Sequence, residues 1–163
     1  MSLWLSALMA LLFDRLSRPR PIGPFRFLFG ESYFNLEETL QSYILVFAGG
    51  GIGAALRYWL SGVVHERLGS AFPYGTLAVN ILGCFVIGIV MASMQERFLA
   101  HPSLRVFLTI GILGGFTTFS SFSYETIAML KDGEFFYSSV NILASLVCCI
   151  AGTWLGVIVG KHV

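Results

Sequence analysis

The stretch of sequence that decides the fold reads Gly111-Ile-Leu-Gly-Gly-Phe-Thr-Thr-Phe-Ser-Ser-Phe-Ser-Tyr-Glu125. It places a glycine pair before five hydroxyl side chains within seven residues, inside an otherwise apolar segment. Glycine weakens a helix, and serine and threonine hydroxyls compete for nearby backbone groups. We therefore predict that this helix breaks near the middle of a membrane and exposes backbone carbonyl groups. The alternative is a glycine-rich kink without a functional role.

The composition of the chain is that of an integral membrane protein. Of its 163 residues, 56% are apolar and 12% are charged, and the mean hydropathy is +0.78. Soluble proteins have about 45–50% apolar and about 25% charged residues. A membrane-spanning helix needs about 20 residues, and four apolar segments of suitable length lie at 41–64, 73–94, 104–130 and 135–160. The predicted fold class is an all-α membrane protein with four transmembrane helices per protomer, the third of them broken.

Residues 1–40 differ in composition, and we assign them to an N-terminal extension that precedes a four-helix domain of residues 41–163. The apolar run from Met1 to Phe13 is too short to span a bilayer, and a stretch rich in arginine and proline follows it. We expect an interfacial amphipathic helix and a linker. A start codon assigned too far upstream is the alternative explanation.

Charge, cysteine and histidine content exclude several classes of function. A formal net charge of +1 provides no basic field for a nucleic acid. The three cysteines lie in apolar runs without a CxxC pattern, which indicates neither a disulfide framework nor a zinc site. The histidines are predicted in loops or the tail, and Glu125 is the only acidic residue clearly within a predicted span. We therefore expect no enzymatic activity.

Positive charge is balanced between the two ends of the predicted helices. If the spans alternate in direction, each side of the membrane receives three cationic residues of the core: Arg97, Arg105 and Lys161 on one side, and Arg57, Arg67 and Lys131 on the other. Equal division gives no positive-inside preference, as expected of a chain that inserts in both orientations. The four arginines of the extension are the exception to this balance.

Neutral polar and small side chains in the spans indicate contacts between helices, a lined path, or both. Asn80 lies on the second helix, and a row of polar residues four apart follows the fourth: Asn141, Ser145, Cys149 and Thr153. Such groups commonly hydrogen bond between helices, so both interpretations stay open. Glycines four residues apart predict close packing of backbones: Gly49 and Gly53, Gly111 and Gly115, and Gly152, Gly156 and Gly160.

Phe119 and Phe122 are three residues apart and so share one face of the segment after the predicted break. The edges of aromatic rings carry partial positive charge. A path lined by these edges attracts a small anion without a fixed cation. Because the chain contains 15 phenylalanines, ordinary packing is the alternative.

Three motifs in order resemble those of the Fluc (CrcB) family of fluoride channels. They read Gly49-Gly-Gly-Ile-Gly-Ala-Ala-Leu-Arg-Tyr58, Tyr74-Gly-Thr-Leu-Ala-Val-Asn80, and Gly114-Gly-Phe-Thr-Thr-Phe-Ser-Ser-Phe-Ser123 followed by Glu125. Trp154-Leu-Gly156 closes the fourth segment in a similar way. The resemblance extends from Gln41 to the end of the chain, and three motifs on three predicted helices make it specific.

The resemblance implies a fold, a function and a set of functional residues. The family fold is an antiparallel, dual-topology homodimer with two pores and a sodium ion at its centre. The implied function is passive export of cytoplasmic fluoride through the cell membrane. By position, the implied pore residues are Asn80, Phe119, Phe122, Ser123, Asn141, Ser145 and Arg57, and the implied sodium ligands are the backbone carbonyls of Gly114 and Thr117.

Three departures and two rival functions accompany this expectation. Ser121 replaces a commoner threonine, and Asn141 and Cys149 vary the polar row. The extension of 40 residues has no counterpart in the short family members, so pairing with a second, different chain stays open. A small multidrug exporter of dual topology needs a carboxylate at mid-membrane to bind its cationic substrate or a proton. A scaffold without transport activity accounts for the glycine faces but not for the hydroxyl-rich break.

Overall fold

A computed structural model of the chain describes residues 36–97 and 101–162, in which helices are joined by short connections. The predictions made for residues 1–35 lie outside this part of the chain. The elements, in order, are helices α1 (Leu36–Leu68), α2 (Tyr74–Arg97) and α3 (Pro102–Arg105), a π-helical segment (Val106–Leu113), and helices α4 (Gly114–Phe116), α5 (Phe119–Lys131) and α6 (Phe135–His162).

Four stretches of these helices are long and apolar enough to cross a membrane: Leu40–Leu68, Tyr74–Met94, Pro102–Lys131 and Phe135–His162. This confirms the four predicted spans. The approximate bounds agree with the second, third and fourth spans within two residues, and α1 alone continues further, from the predicted end at residue 64 to Leu68. The predicted loop position of His65 was wrong, since α1 continues through it to Leu68.

Glycines in the left-handed conformation end two of the helices. Gly69, with φ of 79°, follows α1 and donates its N–H to the His65 carbonyl at 2.9 Å. Gly133, with φ of 80°, follows α5, and the next N–H, that of Glu134, donates to the Met129 carbonyl at 2.9 Å. The second arrangement is a Schellman motif. It turns the chain back within a few residues, so that α6 starts beside the end of α5.

The helices approach one another through small residues. A Cβ atom at Gly156 would overlap the Phe85 carbonyl, and one at Gly160 would lie 2.5 Å from the Ile89 carbonyl, so α6 packs backbone to backbone on α2. A Cβ at Gly49 would lie 2.9 Å from Gly111 Cα, which brings α1 equally close to the π-helical segment. The predicted packing role of the spaced glycines is confirmed.

The described part of the molecule buries polar as well as apolar side chains and exposes many large apolar ones. Buried polar side chains occur on every major helix after α1: Thr76, Asn80, Thr109, Thr118, Thr126, Ser138, Asn141 and Ser145. Large apolar side chains are exposed, among them Phe47 at 85% and Trp154 at 64%. Apolar solvent accommodates such an exterior, while polar groups within the bilayer must find partners inside the protein.

The third span is not a continuous α-helix. Its helix α4 ends at Phe116, and Thr117 and Thr118 have extended backbones, with φ and ψ of −79° and 156° and of −150° and 115°. Helix α5 then begins at Phe119. These two extended residues, together with the end of α4 and the start of α5, position the site described next.

Candidate functional site

A cavity of about 610 Å³, here called the main cavity, lies between α2, the third span and α6. It brings together six of the residues named from the sequence: Asn80, Gly114, Thr117, Phe119, Phe122 and Ser145. Its wall also includes Cys84, Thr109, Thr118 and Cys149. Among the residues that the structure describes, its lining contains no charged side chain. Ser123, Asn141 and Arg57 lie outside this lining.

The extended residues of the third span are held by a side chain from α2. Asn80 donates from Nδ2 to the Thr118 carbonyl at 3.0 Å, and its Oδ1 accepts the Thr118 N–H at 2.8 Å. Both residues are buried. In an uninterrupted helix the Thr118 N–H would donate to the Gly114 carbonyl four residues earlier. The Asn80 carboxamide therefore replaces a helical hydrogen bond at the break.

The hydroxyl of Thr118 caps the next helix. Its Oγ1 accepts the Ser121 N–H at 3.2 Å and lies 3.1 Å from the hydroxyls of both Ser120 and Ser121. A threonine that accepts such a bond is a favoured N-cap. Because Ser121 donates to this side chain, its N–H is drawn away from the Thr117 carbonyl four residues before it. The hydroxyl side chains of Thr118, Ser120 and Ser121 thus lie at the break and also cap the beginning of α5.

The backbone carbonyls of Gly114 and Thr117 were predicted as sodium ligands. In a continuous helix they would accept the N–H groups of Thr118 and Ser121, which here donate to side chains instead. Backbone carbonyl oxygens are hard ligands, the type that hard metal ions prefer. Both residues line the main cavity, and Gly114 is exposed there. Arg57 approaches the same region, with Nη1 3.5 Å from the Thr117 carbonyl, a long contact at the limit of a hydrogen bond. The donor set therefore fits a hard cation, although two carbonyls alone do not complete a coordination shell.

Phe119 and Phe122 form an aromatic pair on the cavity wall. Their ring centroids are 5.4 Å apart, and the ring planes are inclined by 48°. The pair is tilted, between the stacked and the edge-to-face arrangements. Phe119 is 77% exposed, whereas Phe122 is partly buried. The predicted shared face is confirmed, and the role of the pair in a pore stays a prediction.

The polar row of α6 divides between two tasks. Ser145 is buried and lines the main cavity, and its Oγ has no hydrogen-bond partner among the residues that the structure describes. Asn141 instead donates from Nδ2 to Thr126 Oγ1 at 2.8 Å and joins α6 to α5. Ser138 continues that contact by donating to the Thr126 carbonyl at 3.3 Å. The predicted helix contact is therefore present at Asn141, whereas Ser145 lines a cavity and its place in a lined path stays a prediction.

A second cavity, of about 430 Å³, is lined by Glu125 together with His65 and Thr76. Thr76 donates from Oγ1 to Glu125 Oε1 at 2.7 Å. Glu125 Oε2 is buried without a partner among the described residues. In that part of the chain no group of three or more His, Cys, Asp or Glu residues is placed to hold a metal ion.

Several residues of the site were missed in the sequence. Thr118 was quoted only as part of the hydroxyl run, and Cys84 as one of three cysteines, yet both line the main cavity. Thr76 and Thr126 were not singled out, although each holds a polar side chain from another helix. The available signal was a threonine within an apolar span. It did not identify the partners, because Glu125 lies 49 residues from Thr76 and Asn141 lies 15 residues from Thr126.

Comparisons with known proteins match nearly the whole four-helix region. The sequence model of the family described as "CrcB-like protein, Camphor Resistance (CrcB)" matches residues 44–157. A fluoride-specific ion channel FluC of Geotalea daltonii is 49% identical over 124 residues, which cover 76% of this chain and 100% of the relative. The proteins of the same name from Geotalea uraniireducens and Geobacter sulfurreducens are 55% and 51% identical over 119 and 113 residues. These matches cover 73% and 69% of this chain, and 94% and 91% of the relatives.

Proposed function

The chain belongs to the CrcB family, and from that premise we propose that it is a fluoride-selective ion channel that passes fluoride down its electrochemical gradient. Relatives about half identical in sequence over nearly their full length are named fluoride-specific ion channels. The protein is accordingly a multi-pass membrane channel and not an enzyme. Its function is to lower the fluoride concentration of the cytoplasm.

The observation that supports this function best is the lining of the main cavity. Fluoride is small and strongly hydrated, so a pore must replace its water with hydrogen-bond donors and other sites of partial positive charge. The free Ser145 hydroxyl and the edges of Phe119 and Phe122 provide such sites. A lining without charged side chains among the described residues binds the anion weakly enough to release it.

We propose further that two copies of the chain assemble as an antiparallel homodimer around a sodium ion. The balanced charges of the four spans are compatible with insertion in both orientations. The Gly114 and Thr117 carbonyls would hold the ion, and a second copy would contribute the same pair. The ion would supply fixed positive charge beside the cavity. We place this dimer in the cell membrane, with fluoride, sodium and lipid as its partners.

Fluoride efflux from proteoliposomes tests the function. Vesicles loaded with potassium fluoride receive valinomycin, and a fluoride electrode records release, with chloride-loaded vesicles and protein-free vesicles as controls. Fast fluoride release that depends on valinomycin, with little chloride release, is the expected result. Folded, reconstituted protein that releases no fluoride would contradict the channel and favour a scaffold.

A further inference from the structure

We propose that Cys84 and Cys149 form a two-thiolate site for a divalent thiophilic cation of linear coordination, such as the mercuric ion, in the wall of the main cavity. Both cysteines line that cavity, one from α2 and the other from α6. Cys84 lies opposite the part of α6 that carries Cys149, since a Cβ at Gly152, three residues further along, would lie 3.9 Å from Cys84 Cβ. Neither residue takes part in the interactions that hold the break of the third span.

The helix contact around the two thiols keeps them together. Gly152, on the turn of α6 after Cys149, faces α2 so closely that a Cβ would lie 3.3 Å from the Ile81 carbonyl and 3.9 Å from Cys84 Cβ. On α2, one turn after Cys84, a Cβ at Gly88 would overlap the Thr153 carbonyl of α6. Backbones in such contact fix the spacing of the side chains between them. The two cysteines are therefore held on facing turns of α2 and α6 before any ion arrives.

The chemistry of the pair selects the cation. Thiolate sulfur prefers soft metal ions, and the described residues offer no third His, Cys, Asp or Glu ligand nearby. Zinc takes four ligands and is therefore disfavoured. Binding of a mercuric ion breaks two S–H bonds, forms two Hg–S bonds and releases two protons to solvent. The product is neutral, so it does not place an uncompensated charge in the apolar wall.

One further group faces the same space. Ser145 precedes Cys149 by one turn on α6, is 9% exposed, and has no partner for its Oγ among the described residues. A bound ion between the sulfurs would lie in the cavity that this hydroxyl lines. We expect such an ion to obstruct the cavity, and this consequence for transport depends on the proposed function. Binding itself does not depend on it.

Retention of mercury by the purified chain tests the site. The protein is exposed to mercuric chloride and washed with an excess of a monothiol, which removes singly bound mercury but not an ion held by two sulfurs. Wild type is expected to retain one mercury per chain by elemental mass spectrometry. Cys148, which is exposed, provides the control: C148S is expected to retain mercury, whereas C84S and C149S each lose it.

Three results would overturn the site: no retained mercury in wild type, retention in C84S or C149S, or loss in C148S. Size-exclusion profiles identify a variant that fails to fold, and C84S and C149S test the site independently of each other.

Fluoride efflux separates this proposal from the channel function. After the same monothiol wash, mercury is expected to abolish efflux from wild type and C148S, reversibly with a dithiol, and to leave efflux from C84S and C149S at the rate that each variant has without mercury. Absence of basal efflux contradicts the channel alone, because retention still reports on the site.

Discussion

The Asn80 carboxamide forms two hydrogen bonds with the backbone of one residue, Thr118, donating to its carbonyl at 3.0 Å and accepting its N–H at 2.8 Å. The two residues are 38 positions apart and belong to different spans. An amide side chain presents one donor and one acceptor side by side, which matches an extended residue that has lost its helical partners. This pair connects the fold of α2 to the break of the third span, and the first prediction follows from it.

Substitution of Asn80 is expected to destabilise the protein and abolish transport together. N80A leaves the buried N–H and carbonyl of Thr118 without partners, at about 1–3 kcal/mol for each group. N80D keeps an acceptor for the N–H but, when ionised, loses the donor and places a buried negative charge against the Thr118 carbonyl, so it is expected to destabilise the protein at least as much as N80A. Thermal unfolding in detergent and fluoride efflux measure both effects. Equal stability of N80A and wild type would contradict the role given to this pair.

Replacement of either cavity phenylalanine by isoleucine is expected to reduce flux and leave assembly intact. F119I and F122I each remove an aromatic ring, and the interactions of such a ring in an aromatic pair are worth about 0.5–1.5 kcal/mol. If the passing anion loses a similar interaction energy, its rate of passage falls up to about tenfold, since about 1.4 kcal/mol corresponds to a tenfold change in rate. F47I is the matched control, because Phe47 is 85% exposed on α1 and does not line the cavity. Efflux at the wild-type rate in both cavity variants would remove these residues from the pore.

The Thr118 hydroxyl is expected to stabilise the start of α5. T118V retains the shape of the side chain but removes the oxygen that accepts the Ser121 N–H, and loss of an N-cap costs about 0.5–2 kcal/mol. T118S restores a hydroxyl and is expected to unfold close to the wild-type temperature. The comparison of the two midpoints in detergent separates the cap from general packing. A T118V midpoint equal to that of T118S would show that the cap contributes nothing.

Glycine contacts between α2 and α6 are expected to tolerate no added methyl group. G156A drives a Cβ into the Phe85 carbonyl, a backbone atom that cannot move alone, and overpacking typically costs about 1–3 kcal/mol. A Cβ at Gly51 meets nothing within 4 Å, so G51A is the control. We expect a lower unfolding temperature for G156A and an unchanged or higher one for G51A. The reverse order would contradict the close approach of the two helices.

Sodium is expected to raise the unfolding temperature. An ion that binds the folded protein alone stabilises it in proportion to the logarithm of its concentration above the dissociation constant. Unfolding is measured in sodium chloride and in choline chloride of equal ionic strength, starting from protein purified without sodium. A higher midpoint in sodium supports the proposed Gly114 and Thr117 ligands. Identical midpoints across the titration would argue against a resident ion.

The sequence predicted those features that depend on local composition. Four apolar segments indicated four spans, and evenly spaced glycines indicated the faces on which they pack, because both follow from chain length and side-chain size. The spacing of Phe119 and Phe122 was enough to place them on one face. The sodium ligands, the dimer and the depth of the break within the membrane stay predictions.

Features that depend on distant partners were not predictable in the same way. Asn141 shares a row with Ser145, yet it contacts Thr126 while Ser145 lines the cavity. The rotation of α6 against α5 decides between these outcomes, and a single sequence does not contain that angle. The position of Cys84 and Cys149 on one cavity wall likewise depends on how α2 crosses α6. The π-helical segment has no distinctive composition, since Val106–Leu113 is an ordinary apolar run.

That wide-turned segment has a consequence for rotational phase. Its eight residues lie directly before the helix that ends at the break. Gly111 and Gly115, at its end and just beyond, meet Gly49 and Gly50 of α1. Each residue of an α-helix rotates the chain by about 100° about the helix axis. Wider π-helical turns rotate it by less, so the segment changes the direction in which the later residues of the span point. The segment therefore sets the rotation of the third span about its axis, so that Gly111 and Gly115 face α1 while Thr118, at the break, meets Asn80 of α2.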